Sequence, residues 1–494
     1  MSIFYKRCLP AVLVACSFML QSRAQSFLGY HSSSYSGVYG TLYNPANILD
    51  NRFRADINLV GIAAAAHNNG FRLNLGGNVE TLNIPEPNSG KITKMHVQAD
   101  AFGPGFMLRL SDNDAIAITS RARAQTNIDG APDFILNTLR DHLLEKYDGK
   151  GITVPDMRVQ AHAWTETNFT YSRQIAISDF GVWKAAATIK LLGGQYAAYT
   201  KTNNLRFTYR DSVRYDAATN EIYPGIENVN GNINWNYSAS FDNGNQDYKN
   251  IRPFRNPSVG LDIGLTYEFR DDFQVYETNY NENTLGYKWK MGVSITDIGN
   301  IKYDAGGNDF NAVFKGQSYE LNDLQPPADA DNVSLISNFY KGKFTGTEGP
   351  SYFTMSLPTA MHLMFDYSFN KWMFMETHFS MPLKFTSAKY YAGTFVPTMF
   401  SVTPRAELPW GGLYLPISYN NFSGVKVGGA MRVGPLVIGS ASAFSFVAGR
   451  KTRGADVYVI LRVPLFRFRT RENQGGMEAP EKLSRRARRA LRCS

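Results

Sequence analysis

In Val259-Gly260-Leu261-Asp262-Ile263-Gly264-Leu265-Thr266-Tyr267-Glu268-Phe269 every odd residue is large and apolar, and every even one is small or polar. Successive side chains of an extended strand point to opposite faces, so this segment carries one greasy face and one wet face. The period returns at Trp183, Ala185, Ala187, Ile189 and Leu191 against Lys184, Thr188 and Lys190. It returns again at Tyr287, Trp289, Met291, Val293 and Ile295 against Lys288, Lys290 and Ser294. Further copies run through Met361 to Phe369, Val425 to Val433 and Val457 to Leu465, with His362, Asp366, Lys426, Arg432, Asp456 and Arg462 on their wet faces. Strands of a soluble sandwich alternate too, but they are usually about 5 or 6 residues long. The runs here reach about 10 to 14 residues. A strand crossing hydrocarbon needs about 9 to 11 residues and must belong to a closed barrel, because lipid satisfies no edge hydrogen bond. The pattern predicts an all-β chain, an antiparallel transmembrane β-barrel with aromatic strand ends at Trp164, Trp183, Trp289, Trp372 and Trp410.

Counting alternating runs gives about 14 strands, at 56–73, 98–110, 114–126, 160–173, 180–200, 257–270, 286–298, 358–369, 371–385, 397–408, 412–420, 423–433, 435–447 and 455–466. An even number suits a single-chain bacterial barrel. Tight turns at Ser111-Asp112-Asn113, Asn370, Pro409-Trp410-Gly411 and Gly434 fall on one side. The long connections 74–97, 127–159, 201–256 and 299–357 fall on the other, the arrangement of short periplasmic turns and long external loops. The connection 271–285 is long for its side. Asn68-Asn69-Gly70 offers an alternative hairpin turn that would shift the first strand and the count.

The N-terminus reads as a cleaved secretory signal over residues 1–24, with Lys6 and Arg7 before an apolar stretch from Leu9 to Leu20 and Ser22-Arg23-Ala24 as cleavage site. Leu13-Val14-Ala15-Cys16 is a rival lipoprotein box, although the apolar run continues past it. Of the 3 cysteines only Cys493 survives cleavage, so no internal disulfide forms. The net charge of +9 belongs to the ends. The signal and the segment from Leu465 onward account for all of it, which leaves the body neutral and argues against nucleic-acid binding. At 494 residues the length alone would suggest about three domains, yet no linker divides the middle. The expected layout is signal 1–24, N-terminal plug or hatch 25–54, barrel 55–468 and basic periplasmic tail 469–494.

Tyr43-Asn44-Pro45-Ala46, just before the first strand, resembles the N-terminal signature of long-chain fatty-acid transporters of bacterial outer membranes. Ser294-Ile295-Thr296-Asp297-Ile298-Gly299-Asn300, ending a strand, and the overall layout are similar to an uncharacterised Bacteroidetes-type outer-membrane barrel family related to that superfamily. The resemblance spans roughly residues 27 to 468. It implies a 14-stranded outer-membrane barrel whose N-terminal segment plugs the lumen as a hatch, with outer-membrane lipid around it.

Four features invite functional readings, each beside a plainer one. Residues 25 to 54, rich in Ser, Gly and Tyr, form a hatch or a disordered leader. Pro132 to Tyr147 reads as a helix in an external loop, with Ile135, Leu136, Leu139 and Leu143 on its apolar stripe. It captures hydrophobic ligands or packs on the barrel mouth. The wet strand faces put Arg121, Arg123, Lys184, Lys190, Asp262, Glu268, Lys288, Lys290, Asp366, Lys426 and Arg432 into the lumen, as a charge-tuned pore or as salt bridges filling a closed one. Arg485, Arg486, Arg488 and Arg489 make the tail a docking site for a periplasmic or secretion-system protein, or a solvated end.

Enzyme chemistry finds little support. The seven histidines (His31, His67, His96, His142, His162, His362 and His378) lack metal-ligand spacing, and no GxSxG, phosphate loop or CxxC occurs. His362 with Asp366, and His378 with Glu376, share strand faces. A hydrolase would need a Ser or Thr within reach of one of those histidines. Asp112-Asn113-Asp114 and Asp329-Ala330-Asp331-Asn332 fit turns or loop calcium sites. The expectation is a non-enzyme without cofactor: a passive channel for hydrophobic small molecules, or an accessory barrel of an envelope, secretion or motility assembly.

Overall fold

The computed structural model describes residues 27–467 apart from 74–78, 82–91, 112, 133, 135–145, 179, 217–220, 243–251, 271–286, 328–329, 331, 384–390 and 448–451. The signal segment, the loop-helix residues Ile135, Leu136, Leu139 and Leu143, the connection 271–285 and the arginines of the tail therefore lie outside the described residues. So do parts of both proposed calcium loops. No described helix is long and apolar enough to cross a membrane.

Fourteen antiparallel wall strands close into a barrel. They are β1 (Phe53–Asn68), β2 (Ile92–Arg109), β3 (Asp114–Pro132), β4 (Arg158–Ser178), β5 (Gly181–Asp216), β6 (Pro257–Phe269) and β7 (Trp289–Asp304). The circuit continues with β8 (Tyr352–Ser356 and Ala360–Ser368), β9 (Met373–Pro382), β10 (Met399–Leu408) and β11 (Gly411–Tyr414 and Ile417–Asn420). It ends with β12 (Gly424–Val427 and Gly429–Val433), β13 (Leu436–Ser440) and β14 (Gly454–Arg467). Strand β14 pairs with β1, for example Ile57 opposite Val463 and Ile62 opposite Val459, which leaves the wall without a free edge.

The two-residue period sorts the side chains. In β6, Val259, Leu261 and Ile263 face outward while Asp262, Thr266 and Glu268 are buried. The same outward row continues through Met291, Val293, Leu363, Phe365, Leu413, Ile438, Val457 and Val459. An apolar belt on the outside of a closed barrel is what hydrocarbon requires. The stacked rings of Phe269 and Trp289, 5.2 Å apart, lie at the tight-turn end.

Two sequence expectations change. Strand β1 ends at Asn68, and the short hairpin of Phe71–Leu73 with Val79–Thr81 follows it without altering the count. The connections 201–256 and 299–357 are not plain loops. Strand β5 runs on to Asp216 and pairs with Glu221–Tyr237, which in turn pairs with Phe310–Glu320. Asn203-Asn204 looks like a turn, but Asn204 takes φ 48° in a local register shift and the strand continues. Leu205, Phe207 and Tyr209 then bury with Tyr147, Val229, Phe310 and Phe314 in a cluster of their own. Helix α1 (Val333–Lys343) belongs to this outer layer. Asn332 caps it by accepting the Leu335 N–H at 2.9 Å.

Candidate functional site

Residues 27–51 lie inside the barrel. Their sequence has no alternation, so they cannot join the wall, and they form two short 3-10 turns, Gly37–Leu42 and Pro45–Asp50. Phe27, Tyr30, Tyr39, Ile48 and Leu49 are fully buried and cluster with Phe53, Phe102, Met107, Tyr414, Tyr458 and Ile460 of the wall. Each tyrosine hydroxyl needs a partner in such a place. Tyr39 donates to Asn58 Oδ1 at 2.7 Å and Tyr30 to the Tyr35 carbonyl at 2.8 Å, while Tyr458 donates to the Leu28 carbonyl at 2.9 Å. Burial pushes the Tyr30 and Tyr39 hydroxyls above the ordinary tyrosine range, so both stay protonated donors.

Asn44 fixes the segment against the wall. Its Oδ1 accepts the Ala46 N–H at 3.0 Å and starts the second turn, with Pro45 in the first turn position. Its Nδ2 donates to the Leu265 carbonyl and to Thr266 Oγ1, each at 3.2 Å. The Tyr43 carbonyl accepts from the Ser294 hydroxyl, and the Ala46 carbonyl from the Ser172 hydroxyl at 3.4 Å. The wall is glycine where Asn44 touches it. A Cβ on Gly264 would lie 2.1 Å from Asn44 Oδ1, and one on Gly292 2.8 Å from its Nδ2. Gly264→Leu is expected to leave the barrel closed and to expel Asn44, opening Tyr39 and Tyr43 to chymotrypsin. A cleavage rate equal to that of the parent would refute this seat.

Asp50 anchors the far end of the segment. Its carboxylate meets the Lys184 and Lys290 ammonium groups, the latter at 3.1 Å, and Lys184 also reaches Glu268 at 2.6 Å. Burial alone would raise the Asp50 carboxyl, but the two ammonium groups outweigh it and hold it below the usual carboxylate range.

Beyond the segment the lumen carries ion pairs. Arg123 bridges Glu166 at 3.2 Å and Asp297 at 2.8 Å, Arg121 reaches Asp100 at 2.8 Å, and Lys190 reaches Asp262 at 2.9 Å. Asp297 gets there through a bulge. It adopts φ 58°, followed by Gly299 at φ 152°, and its own N–H donates to Asp262 Oδ1 at 2.6 Å. The register between β6 and β7 slips at this point. Arg405 holds Asp366 at 2.6 Å and Glu407 at 3.1 Å, so Asp366 serves an arginine and not His362. Lys426 donates to His67 Nδ1 at 3.2 Å. Arg432 donates to the carbonyls of Leu408, Pro409 and Gly411 at the tight-turn end. Lys288, just ahead of β7, is half-buried, with its ammonium 5.1 Å from the Tyr367 ring.

A histidine cluster surrounds Tyr43, and spacing along the chain gave no signal for it. His31 Nε2 lies 3.4 Å from Glu376 Oε1. His362 Nδ1 lies 3.2 Å from His378 Nε2, and Thr296 Oγ1 lies 3.0 Å from His362 Nε2. The Tyr43 ring packs on His31, His362 and His378 at 4.4, 5.1 and 4.8 Å. Among the described residues, no group of three or more His, Cys, Asp or Glu side chains is placed to hold a metal ion.

Three spaces adjoin this interior. A polar chamber of about 70 Å³ lies between Tyr43 and the wall, lined by Arg121, Arg123, His96, Gln98, Thr296 and His362. Toward the long-connection end a cavity of about 390 Å³ sets Arg158, Lys201 and Gln160 opposite Ile298, Leu357, Leu383 and Phe395. The third, about 840 Å³, is an apolar recess in the side of the wall across β9 to β14. Outward-facing Met373, Leu413, Met431, Ile438 and Val457 line it, together with Phe444. Strands β11 and β12 are interrupted here, at 415–416 and at 428. Buried Tyr414 also lines it, and the Tyr414 hydroxyl meets Ser33 Oγ at 3.0 Å while its ring packs edge-on against Tyr30 at 5.7 Å.

A closed 14-strand barrel with an apolar girdle and a lumen filled by its own N-terminal segment defines a membrane β-barrel protein. Residues 45–441 match the model of a family of unknown function, DUF5723, and the chain belongs to that family. No curated protein matches it. Among solved structures it is similar to the Ralstonia pickettii toluene transporter TbuX, at 10% identity over 90% of this chain and 98% of that one, with a TM-score of 0.41. It is also similar to a Pseudomonas aeruginosa FadL homologue, at 8% identity over 90% and 97%, TM-score 0.38. The Pseudomonas putida toluene transporter TodX matches at 9% identity over 90% and 98%, TM-score 0.32.

Proposed function

We propose that this barrel resides in a bacterial outer membrane and passes a hydrophobic small molecule, with residues 27–51 as a movable hatch and no energy source or cofactor. One observation carries the reading: Tyr414 borders the membrane-facing recess and also bonds the N-terminal segment. The recess is lined by outward apolar side chains, so a ligand resting there stays in contact with hydrocarbon. Displacing the turn around Ser33 would join the recess to the lumen behind one aromatic side chain. The charged lumen itself offers a hydrophobic ligand no favourable path.

Uptake by proteoliposomes tests this, comparing a long-chain fatty acid and a monoaromatic hydrocarbon with a sugar. Ala406→Trp fills the recess from its outward face without touching the lumen, and is expected to abolish most hydrophobic uptake while leaving sugar permeation unchanged. Undiminished hydrophobic uptake by that variant would exclude the recess as the port.

The sealed lumen and the folded layer around α1 favour a second reading, an accessory barrel that docks a partner in an envelope assembly. On that reading neither Ala406→Trp nor Tyr414→Ala alters permeation of any solute, and the basic tail serves as the periplasmic contact. We assign no catalytic step. Thr296 meets His362, but the ring of Tyr43 covers the pair and His378, not a carboxylate, orients the imidazole.

A further inference from the structure

Three imidazoles from separate segments converge on the ring of Tyr43, and among the described residues the carboxylate in contact with them is Glu376, which meets His31. His31 and Tyr43 belong to the N-terminal segment, His362 to β8, His378 and Glu376 to β9, and Thr296 to β7. The other charges facing the cluster are already committed to one another. Asp297 and Asp100 hold Arg123 and Arg121, Lys190 lies against Asp262 and Asp297, and Arg405 binds Asp366 and Glu407. Among the described residues, then, Glu376 is the one counter-charge the imidazoles touch.

The His362–His378 contact is a hydrogen bond only while one of the two facing nitrogens lacks a proton. With both rings protonated, N–H faces N–H at 3.2 Å and the bond becomes a repulsion between two cations. Three imidazolium groups against one carboxylate leave two uncompensated positive charges at buried positions, which low dielectric makes costly. The wall cannot move away, because β7, β8 and β9 are hydrogen-bonded along their length. The element free to yield is the segment bearing His31 and Tyr43.

We propose that the seat of Tyr43 is a proton-operated latch: protonation of the His31, His362 and His378 cluster drives residues 27–43 off the wall of β7–β9 and opens the lumen. Asp50 keeps the far end of the segment attached, so the motion is a release about Asn44 and not an expulsion. The inference rests on the seat alone and not on what the barrel carries, so the transport reading can fail without it.

Chymotrypsin accessibility of the purified full-length chain in detergent tests the latch, read at Tyr30, Tyr35, Tyr39 and Tyr43 by mass spectrometry. A histidine that regains its ordinary pKa on release binds its proton over this range, so each one favours the open segment about tenfold more at about pH 5.5 than at about pH 7.5. After correction for the protease's own pH dependence on an unfolded substrate, the parent is expected to be cut about tenfold faster at the lower pH. H362Q/H378Q is expected to show the same slow cleavage at both. Where that variant gives no heat-modifiable barrel, H378Q alone serves, since its amide reaches the Nε2 position that meets His362 but takes up no proton, and its acid response is expected to be diminished. A parent without acid response, or an unaltered response in the variants, overturns the proposal.

Discussion

Asp50→Asn is expected to free the N-terminal segment more thoroughly than any other single change within it. The substitution leaves the Lys290 ammonium with no carboxylate at contact distance and takes one of two from Lys184, both deep in the wall. Removing one member of a buried ion pair costs about 3–5 kcal/mol, because the remaining charge stays buried. Discounted for the Glu268 contact, the lower end of that range still raises the exposed population on the order of a hundredfold. Chymotrypsin cleavage at the segment's tyrosines should rise accordingly while the barrel keeps its heat-modifiable mobility. Cleavage at the parent rate would show that the aromatic packing of Phe27, Tyr30 and Tyr39 holds the segment alone. The pH dependence of this anchor has the same sign as that of the histidine seat but lies lower on the pH scale. A carboxyl whose folded-state pKa is depressed contributes in full above its unfolded value of about 4, and its contribution fades as the pH falls through the lower folded value. Asp50 therefore still grips at about pH 5.5, where an imidazole released into water takes up its proton.

The barrel was legible because lipid and lumen impose opposite demands on neighbouring residues. Val259 to Phe269 could not alternate so strictly for long without two different solvents on its two sides. The same logic placed Lys184, Lys190 and Lys290 inward before any partner was known. It could not say that Lys184 and Lys290 share Asp50, which sits 134 and 240 places away in the chain, a pairing set by how the segment folds back into the lumen. The outer layer was missed for a related reason. Leu205, Phe207 and Tyr209 do alternate, but Asn203-Asn204 before them reads as a turn, and only the tertiary cluster with Phe310 and Phe314 overrides that preference. Of the histidine cluster only His362, His378 and Glu376 were legible, as residues on inward strand faces; His31 and Tyr43 join them from the N-terminal segment and meet them only when the hatch is seated. Glycines 264 and 292 were visible as small residues on a wet face, without any hint that their size admits Asn44.

Asp297 carries the second large expectation, since its side chain and its backbone are both in use. Asp297→Asn keeps a residue type that tolerates the left-handed region and removes the charge that Arg123 and Lys190 share. Arg123 keeps Glu166 and Lys190 keeps Asp262, so the loss is expected at the low end of the range for a broken buried pair, about 3 kcal/mol, seen as a lower midpoint for heat or urea unfolding of the barrel. Asp297→Val adds to the charge loss a β-branched residue at φ 58°, a strain of roughly 1–2 kcal/mol, and should fall below the asparagine variant. Removing Lys190 as well takes that ammonium from Asp262 and Glu166, so the double variant D297N/K190M is expected to be less stable than D297N alone, yet by less than the sum of the two single losses, a non-additivity that neighbours in one network show and distant sites do not. If the two losses simply add, the cluster is a set of independent contacts, and the bulge at Asp297 exists to turn β7 toward Thr359, whose hydroxyl donates to the Asp297 carbonyl at 2.6 Å.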